Sequence, residues 1–224
     1  GPLLLCYASF ISASILFFLL KSVMFRKFNP DSDVSTSTKV KASVQRSLKS
    51  KILEGNPDLT EEILDELLPK KSPLVQYKVG PHMMLYCRHE ESEREDVSGS
   101  DIPVFFQQRD GPILPTLKLV HQYPGLQMKH VRVDRGAIPF LLGGANVMSP
   151  GLTNVGGFMP EDSEDIPGVD KGDGVVIFAE GKEYAIAVGV MTKSSAEIRK
   201  ESKGIGIEIA HFLGDGLYQT DEVQ

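Results

Sequence analysis

The chain has no tryptophan and only two cysteines, Cys6 and Cys87, in 224 residues. Two thiols cannot build a disulfide framework or a four-cysteine zinc site, so a reducing compartment is the simple expectation. Histidine is sparse as well, with five scattered residues at 82, 89, 121, 130 and 211. Cys87 and His89 can share one face of a strand, but two ligands make a poor metal site. The nucleotide and hydrolase signatures are missing too. No Walker loop is present, the glycines at 143, 144, 151, 156 and 157 do not fit G-x-G-x-x-G, and neither a G-x-S-x-G elbow nor H-E-x-x-H occurs. Carboxylates gather in loop-like segments, where solvation is their default role. The expectation is a protein with no metal, no cofactor and no catalytic centre.

What is present is ordinary in bulk and uneven in detail. Apolar residues make up 41% of the chain and charged residues 24%, which suits one large globular domain or two small ones. The net charge of -6 argues against a surface coated evenly with nucleic-acid contacts. Locally the sign reverses. Between Met24 and Lys51 stand Arg26, Lys27, Lys39, Lys41, Arg46, Lys49 and Lys51, against only Asp31 and Asp33. Such an excess attracts phosphate even on an acidic protein, and a solvated helix face is the plainer alternative.

Leu3 to Leu20 is a run of eighteen residues, fifteen apolar and three serine. It is at the short end of what can span a bilayer. No basic region precedes it, and Met24-Phe25-Arg26-Lys27-Phe28 reads like the start of a cytosolic chain. Residues 1–23 are therefore expected to be an extension outside the fold, with membrane attachment arising only if that run is genuine.

The remainder reads as α+β in two units, 24–126 and 127–219. Val40, Val44, Leu48 and Ile52 recur every fourth residue, which predicts a helix from Lys39 to Leu53 with Lys39, Arg46 and Lys49 on the opposite side. Asp58 with Glu61 predicts the capped start of a second helix that stops at Pro69. Strands are expected at Leu74–Val79, Met83–Arg88 and from Pro103 to Gln107, and a short helix from Pro115 to His121. His89 to Asp101 holds six acids and little to bury, so a loop is expected there. The second unit is glycine-rich. A strand at Val131–Val133 leads to Asp134, which can cap a helix running towards Leu142, with Pro139 awkward inside it. Asn154 to Asp173 reads as a loop. Gly174 to Ala179 and Tyr184 to Met191 read as strands, Ser194 to Lys200 as a helix, and Ile205 to Tyr218 as the last strand or strands.

Asp134-Arg135-Gly136-Ala137-Ile138, then Gly144-Ala145-Asn146-Val147-Met148-Ser149-Pro150-Gly151-Leu152, resembles the heart of a PUA domain. Ala185-Ile186-Ala187-Val188-Gly189 and Leu213-Gly214-Asp215-Gly216-Leu217 fit the same pattern. Upstream, Met24 to Phe28, Leu68-Pro69-Lys70-Lys71, Phe105-Phe106-Gln107 and Gly111-Pro112 with Pro115 to Leu119 resemble the malignant T-cell-amplified sequence family. The resemblance implies an N-terminal α/β pre-PUA domain followed by a C-terminal PUA domain, β-barrel-like and RNA-binding. It implies a cytosolic, non-enzymatic translation factor that pairs with density-regulated protein. Such a factor handles tRNA acceptor ends on the small ribosomal subunit in recycling, reinitiation and non-standard initiation. An adaptor or RNA-modification accessory protein that never binds ribosomes is the alternative. Pro139 stands where a basic residue is common, Ser149 where cysteine is, and the loops at 89–101 and 156–173 are longer than the family's.

Under this reading Gly136, Gly144 and Gly151 let backbone approach a ribose-phosphate chain, since glycine has no side chain to block it. Lys129, Arg132 and Arg135 flank that groove. Lys39, Arg46, Lys49, Lys70 and Lys71 are the candidates for ribosomal RNA; solubility alone is their competing explanation. An acceptor stem would be read mostly by the shape of its wide minor groove.

Overall fold

The computed structural model describes residues 25–223 except 71, 81, 93–97, 125, 127 and 162–167. The apolar run at the start, Met24 and Lys71 thus lie outside the described residues. Among those described, no helix is long and apolar enough to cross a membrane.

Two five-stranded sheets organise the described residues. The first is an antiparallel meander in sequence order, β1 (Val34–Lys39), β2 (Leu74–Val79), β3 (Met83–Glu90), β4 (Ser100–Gln108) and β5 (Ile113–Pro115). Its centre pairs Leu85 with Phe106 and Tyr86 with Phe105, all buried. β1 pairs only with β2, at the edge, and five of its six side chains are exposed. No apolar alternation marks it, so the sequence pattern assigns Lys39 to a helix when it ends a strand. The helix itself is Ala42–Gly55. Leu48 and Ile52 are buried and Val40 packs against the core, but Val44 faces out. The next helix, Glu61–Leu67, is capped by Thr60, whose hydroxyl accepts from the Ile63 amide, and not by Asp58. Thr60 sits directly before the helical turn, the position from which a side-chain oxygen reaches those first amides. Thr116 caps Leu117–Gln122 in the same way.

The second sheet has the order β6 (His130–Val133), β8 (Gly174–Ala179), β9 (Ala187–Met191), β10 (Ile205–Phe212), β7 (Val147–Met148). β6 runs parallel to β8, and the other pairs are antiparallel. Leaving β6 at one edge, the chain crosses to β7 at the other. The helix Ser149–Thr153 follows, and the carbonyl of its Gly151 accepts from the Asp134 amide at 2.9 Å. That bond ties the two edges together and curls the sheet into a half-barrel around Val131, Ile177, Ala187, Met191 and Ile207. Ser194 and Glu197 form a reciprocal capping box on helix Ser195–Lys200.

The two units share a core. Val176, Ala185, Val188 and Leu217 of the second pack with Phe106, Leu114 and Leu117 of the first in one buried cluster. Gly174 lets the sheets meet, because a Cβ there would strike the side chains of Leu114 and Pro112. Phe25 and Phe28, at the start of the first unit, also belong to this seam. Phe25 is 1% exposed and lies edge-on to Phe106 at 5.2 Å and to His211 at 6.1 Å. Its carbonyl accepts the Gly216 amide at 2.7 Å. His211 and Asp215 are fully enclosed, with Nδ1 2.8 Å from Oδ2. The Asp215 carboxylate accepts in addition from the amides of Phe212 and Tyr218, so it caps the final helix, Gly216–Gln219.

Truncating Phe25 removes a ring from a seam that cannot easily collapse. Phe25→Ala is expected to lower stability by about 3 to 5 kcal/mol. Denaturant unfolding followed by tyrosine fluorescence checks this; a loss under about 1 kcal/mol would show that the N-terminal segment is not part of the core.

Candidate RNA and partner interface

Beyond β6, Asp134 Oδ1 accepts the Ala137 amide at 2.9 Å and starts a single 3-10 turn, Arg135–Ala137. An α-helix, Ile138–Leu142, then begins afresh. Pro139 falls in its first turn, where no intrahelical bond is demanded of its nitrogen, so this proline is well placed and not awkward. Gly143 and Gly144 end the helix. Gly144 has φ +80°, and a Cβ there would press on the Phe212 ring at 3.0 Å. Backbone geometry and packing account for this glycine.

Between this helix, β7 and the helix Ser149–Thr153 lies a groove of about 480 Å³, lined by Asp134, Gly136, Phe140, Asn146, Met148 and Gly151 among others. Two of the three predicted glycines therefore reach it and Gly144 does not. The lining is mainly apolar. Phe140 is 68% exposed and Met148 51%, and Leu142 stands exposed beside them. The polar groups here are occupied. Asn146 Oδ1 accepts the Ile209 amide at 3.0 Å, Asn154 donates to Asp134 at 2.8 Å, and the Arg135 amide donates to Glu180 at 3.3 Å. An opening of this kind takes an apolar side chain or a flat ring more readily than a phosphate. Residue patterns alone do not reveal Phe140 and Met148 as exposed, because Ile138 to Leu142 is apolar throughout and only Leu141 turns fully inward.

The basic candidates divide. Arg132 and Arg135 are exposed near the groove. Arg132 Nε donates to the Gly156 carbonyl at 2.9 Å, and its guanidinium lies 5.9 Å from the Phe158 ring centre. Lys129 does not flank the groove. It sits five residues before Asp134 on extended chain, roughly 16 Å away, and is paired with Asp173 at 2.7 Å beside the seam. In the first unit Lys39 and Arg46 are exposed. The helix Ala42–Gly55 starts without a side-chain cap and has no acid in its first turn, so its positive dipole end faces outward beside Lys41. Lys49 is not on the open face: its side chain is 13% exposed, bonded to Asp65 at 2.6 Å and to the Leu68 carbonyl at 2.6 Å. Lys70 is exposed, 3.6 Å from Asp65. Its neighbour Lys71 is among the undescribed residues. Cys87 is buried, which pushes its thiol well above the usual range, and Asp101 adds to this. His89 Nδ1 lies 2.6 Å from Asp101 Oδ1. Among the described residues no three His, Cys, Asp or Glu side chains converge as a metal site.

Residues 28–124 match the family model described as Pre-PUA-like domain, and 128–216 the one described as elF2D, PUA domain. Translation machinery-associated protein 20 of Schizosaccharomyces pombe is 43% identical over 88% of this chain and 98% of its own. The malignant T-cell-amplified sequence 1 homolog of Drosophila melanogaster is 42% identical over 90% of this chain and 100% of its own. Human malignant T-cell-amplified sequence 2 is 42% identical over 87% and 97%. A hypothetical protein of Pyrococcus horikoshii has the same fold, with TM-score 0.61 at 20% identity, covering 82% of this chain and 98% of that one. A PUA-domain protein of Aeropyrum pernix, solved with tartrate, gives 0.53 at 23%, covering 84% and 92%.

The Lys49 hydrogen bond and charge, helped by Lys70, hold the Asp65 carboxyl below its ordinary range. A depressed carboxylate stabilises the fold above its unfolded value, and that contribution disappears as pH falls through the lowered one. Lys49→Ala should therefore lower the thermal midpoint at pH 7, with the gap to the parent narrowing as Asp65 protonates. Arg46→Ala should change stability by no more than about 0.5 kcal/mol. A Lys49→Ala midpoint equal to the parent at pH 7 would refute a structural role for this lysine.

Proposed function

The chain belongs to the family of malignant T-cell-amplified sequence proteins and translation machinery-associated protein 20, and from that premise we propose that it is a non-enzymatic, RNA-binding translation factor of the small ribosomal subunit. It works with density-regulated protein, and the pair handles tRNA acceptor ends during recycling, reinitiation and non-standard initiation in the cytoplasm.

The observation that carries this reading is the shared core. A factor that bridges two RNAs must hold its binding surfaces at a fixed separation, and one buried cluster joins the pre-PUA sheet to the PUA sheet. The first unit offers Lys39, Arg46 and the uncapped start of Ala42–Gly55 to ribosomal RNA, with Lys70 further along. The second offers Arg132 and Arg135 to the tRNA end. The groove between them and β7 is too apolar for a phosphate seat. Its exposed Phe140 and Met148 suit an apolar segment of the protein partner, since clustered exposed apolar groups are what a docking surface retains.

Sedimentation of the protein with purified small subunits, with and without density-regulated protein and across a salt series, tests the reading. Co-sedimentation that weakens with salt is expected. Arg46→Glu combined with Lys39→Glu should reduce the salt slope by roughly 0.7 to 0.9 for each phosphate that is no longer neutralised. Phe140→Ser should release the partner while leaving that slope unchanged. Absence of co-sedimentation even with the partner present would overturn the ribosomal reading in favour of an adaptor.

A further inference from the structure

A second opening shares no lining residue with the Phe140 groove. It is a cleft of about 520 Å³ in the seam between the sheets. Its walls are rich in aromatic rings. Tyr123 and His121 come from the first unit, and His130, Phe178 and Tyr184 from the second. The rings are mutually braced. His121 lies edge-on to Tyr184 at 5.5 Å, and His130 edge-on to Phe178 at 5.8 Å. His121 Nε2 donates to the Ala185 carbonyl at 2.8 Å, a bond across the seam that fixes the ring. Tyr184 is 58% exposed although it adjoins a packed core.

Apart from the two imidazoles, the charge in this cleft has one sign. Asp58 of the first unit and Glu183 of the second both line it, both are exposed, and no described lysine or arginine lines it. The rest of the wall is ring face or aliphatic surface. Negative π faces with carboxylates at the rim attract a cation and repel a phosphate chain. Between the two biological cations, the planar guanidinium fits better. It stacks on tyrosine and imidazole faces and can bind a carboxylate with two parallel bonds, which an ammonium cannot do.

We propose that this interdomain cleft receives an arginine side chain from a protein partner, with Tyr184 stacking on the guanidinium and Glu183 and Asp58 pairing with it. The site is separate from the Phe140 groove and from the basic RNA-facing residues, and it does not depend on ribosome binding. Because each unit supplies one carboxylate and part of the aromatic wall, the receptor exists only while the two units stay joined.

The test uses the full chain, isotopically labelled, and three acetylated pentapeptides: Gly-Gly-Arg-Gly-Gly, its lysine counterpart, and its citrulline counterpart, which keeps the shape of arginine without the charge. NMR titration should show the arginine peptide shifting resonances of Tyr184, Glu183, His121 and His130, the lysine peptide doing so more weakly, and the citrulline peptide not at all. Tyr184→Ala and Glu183→Gln alter exposed side chains, so the fold should survive, and each should weaken the arginine peptide about fivefold or more. Equal shifts from citrulline, or shifts elsewhere than the cleft, would overturn the proposal. So would an oligouridine that perturbs these resonances when the arginine peptide does not, which would make the cleft a base-stacking site.

Discussion

The Asp215 carboxylate is the group on which the rest of the molecule depends. It lies fully buried, and a buried charge is tolerated only when its hydrogen-bonding capacity is met. Three donors meet it: the His211 ring and the amides of Phe212 and Tyr218. The consequence reaches past local satisfaction. By fixing His211, Asp215 presents the imidazole ring edge to Phe25 and Phe106, which belong to the other side of the seam. By capping Gly216–Gln219, it sets Gly216 against the backbone of Phe25 and Phe28, at a spacing that no Cβ could share. A single polar anchor thus sets how the terminal helix, the N-terminal segment and the meander sheet meet. Among the described residues His211 Nε2 has no hydrogen-bond partner, so the ring is held from one side by Asp215 and packed by aromatic edges on the other.

This seam alters how charge on the surface should be read. A count of basic residues treats each lysine as an equal attractor of phosphate. In the folded chain several are already committed. Lys49 fastens Ala42–Gly55 to the end of Glu61–Leu67, Lys129 fastens the start of β6 to Asp173, and Lys118 ties Leu117–Gln122 to Asp221 near the C-terminus. Each holds one element to another, and a cation that is desolvated and paired offers little field to an incoming polyanion. The residues left to act at long range are those, such as Arg46, Lys39, Arg132 and Arg135, whose side chains stay in water.

Much of the fold is legible in the sequence because its signals are periodic. The strands of the meander centre alternate or run apolar, and Gly80, Gly143 and Gly144 punctuate where left-handed or terminal geometry is required. Capping residues are legible in kind more than in place: Ser194 falls within the expected helix boundary, whereas Thr60 takes the role expected of Asp58. The failures have one physical origin. β1 buries almost nothing, so its Ser-Thr-Ser-Thr run carries no hydrophobic period, and Lys39 reads as part of the helix that follows. β7 and Ser149–Thr153 are too short to show a period at all. The site is legible at the glycine turns, which encode backbone shape. It is not legible at Phe140 and Met148, because a sequence states that a residue is apolar without stating whether anything covers it. The pairing of Lys49 with Asp65 spans sixteen residues and two helices, a distance at which no local pattern speaks.

The same limit explains why the two openings differ in character although both are built around the PUA sheet. The Phe140 groove is assembled almost entirely from one contiguous stretch, Asp134 to Gly151, with Ile205 added from β10. Its lining follows once that stretch is recognised. The aromatic cleft takes residues from around Asp58, from Val120 to His130 and from Val176 to Ala185, and only the docking of two sheets brings them together. A pocket of the first kind survives as long as the half-barrel is intact. One of the second kind is a property of the junction, so anything that loosens Phe25, His211 or Asp215 will loosen it too. Selection for the proposed bridge and for the proposed interdomain receptor would therefore act on the same few buried residues, because both require the seam to hold its shape.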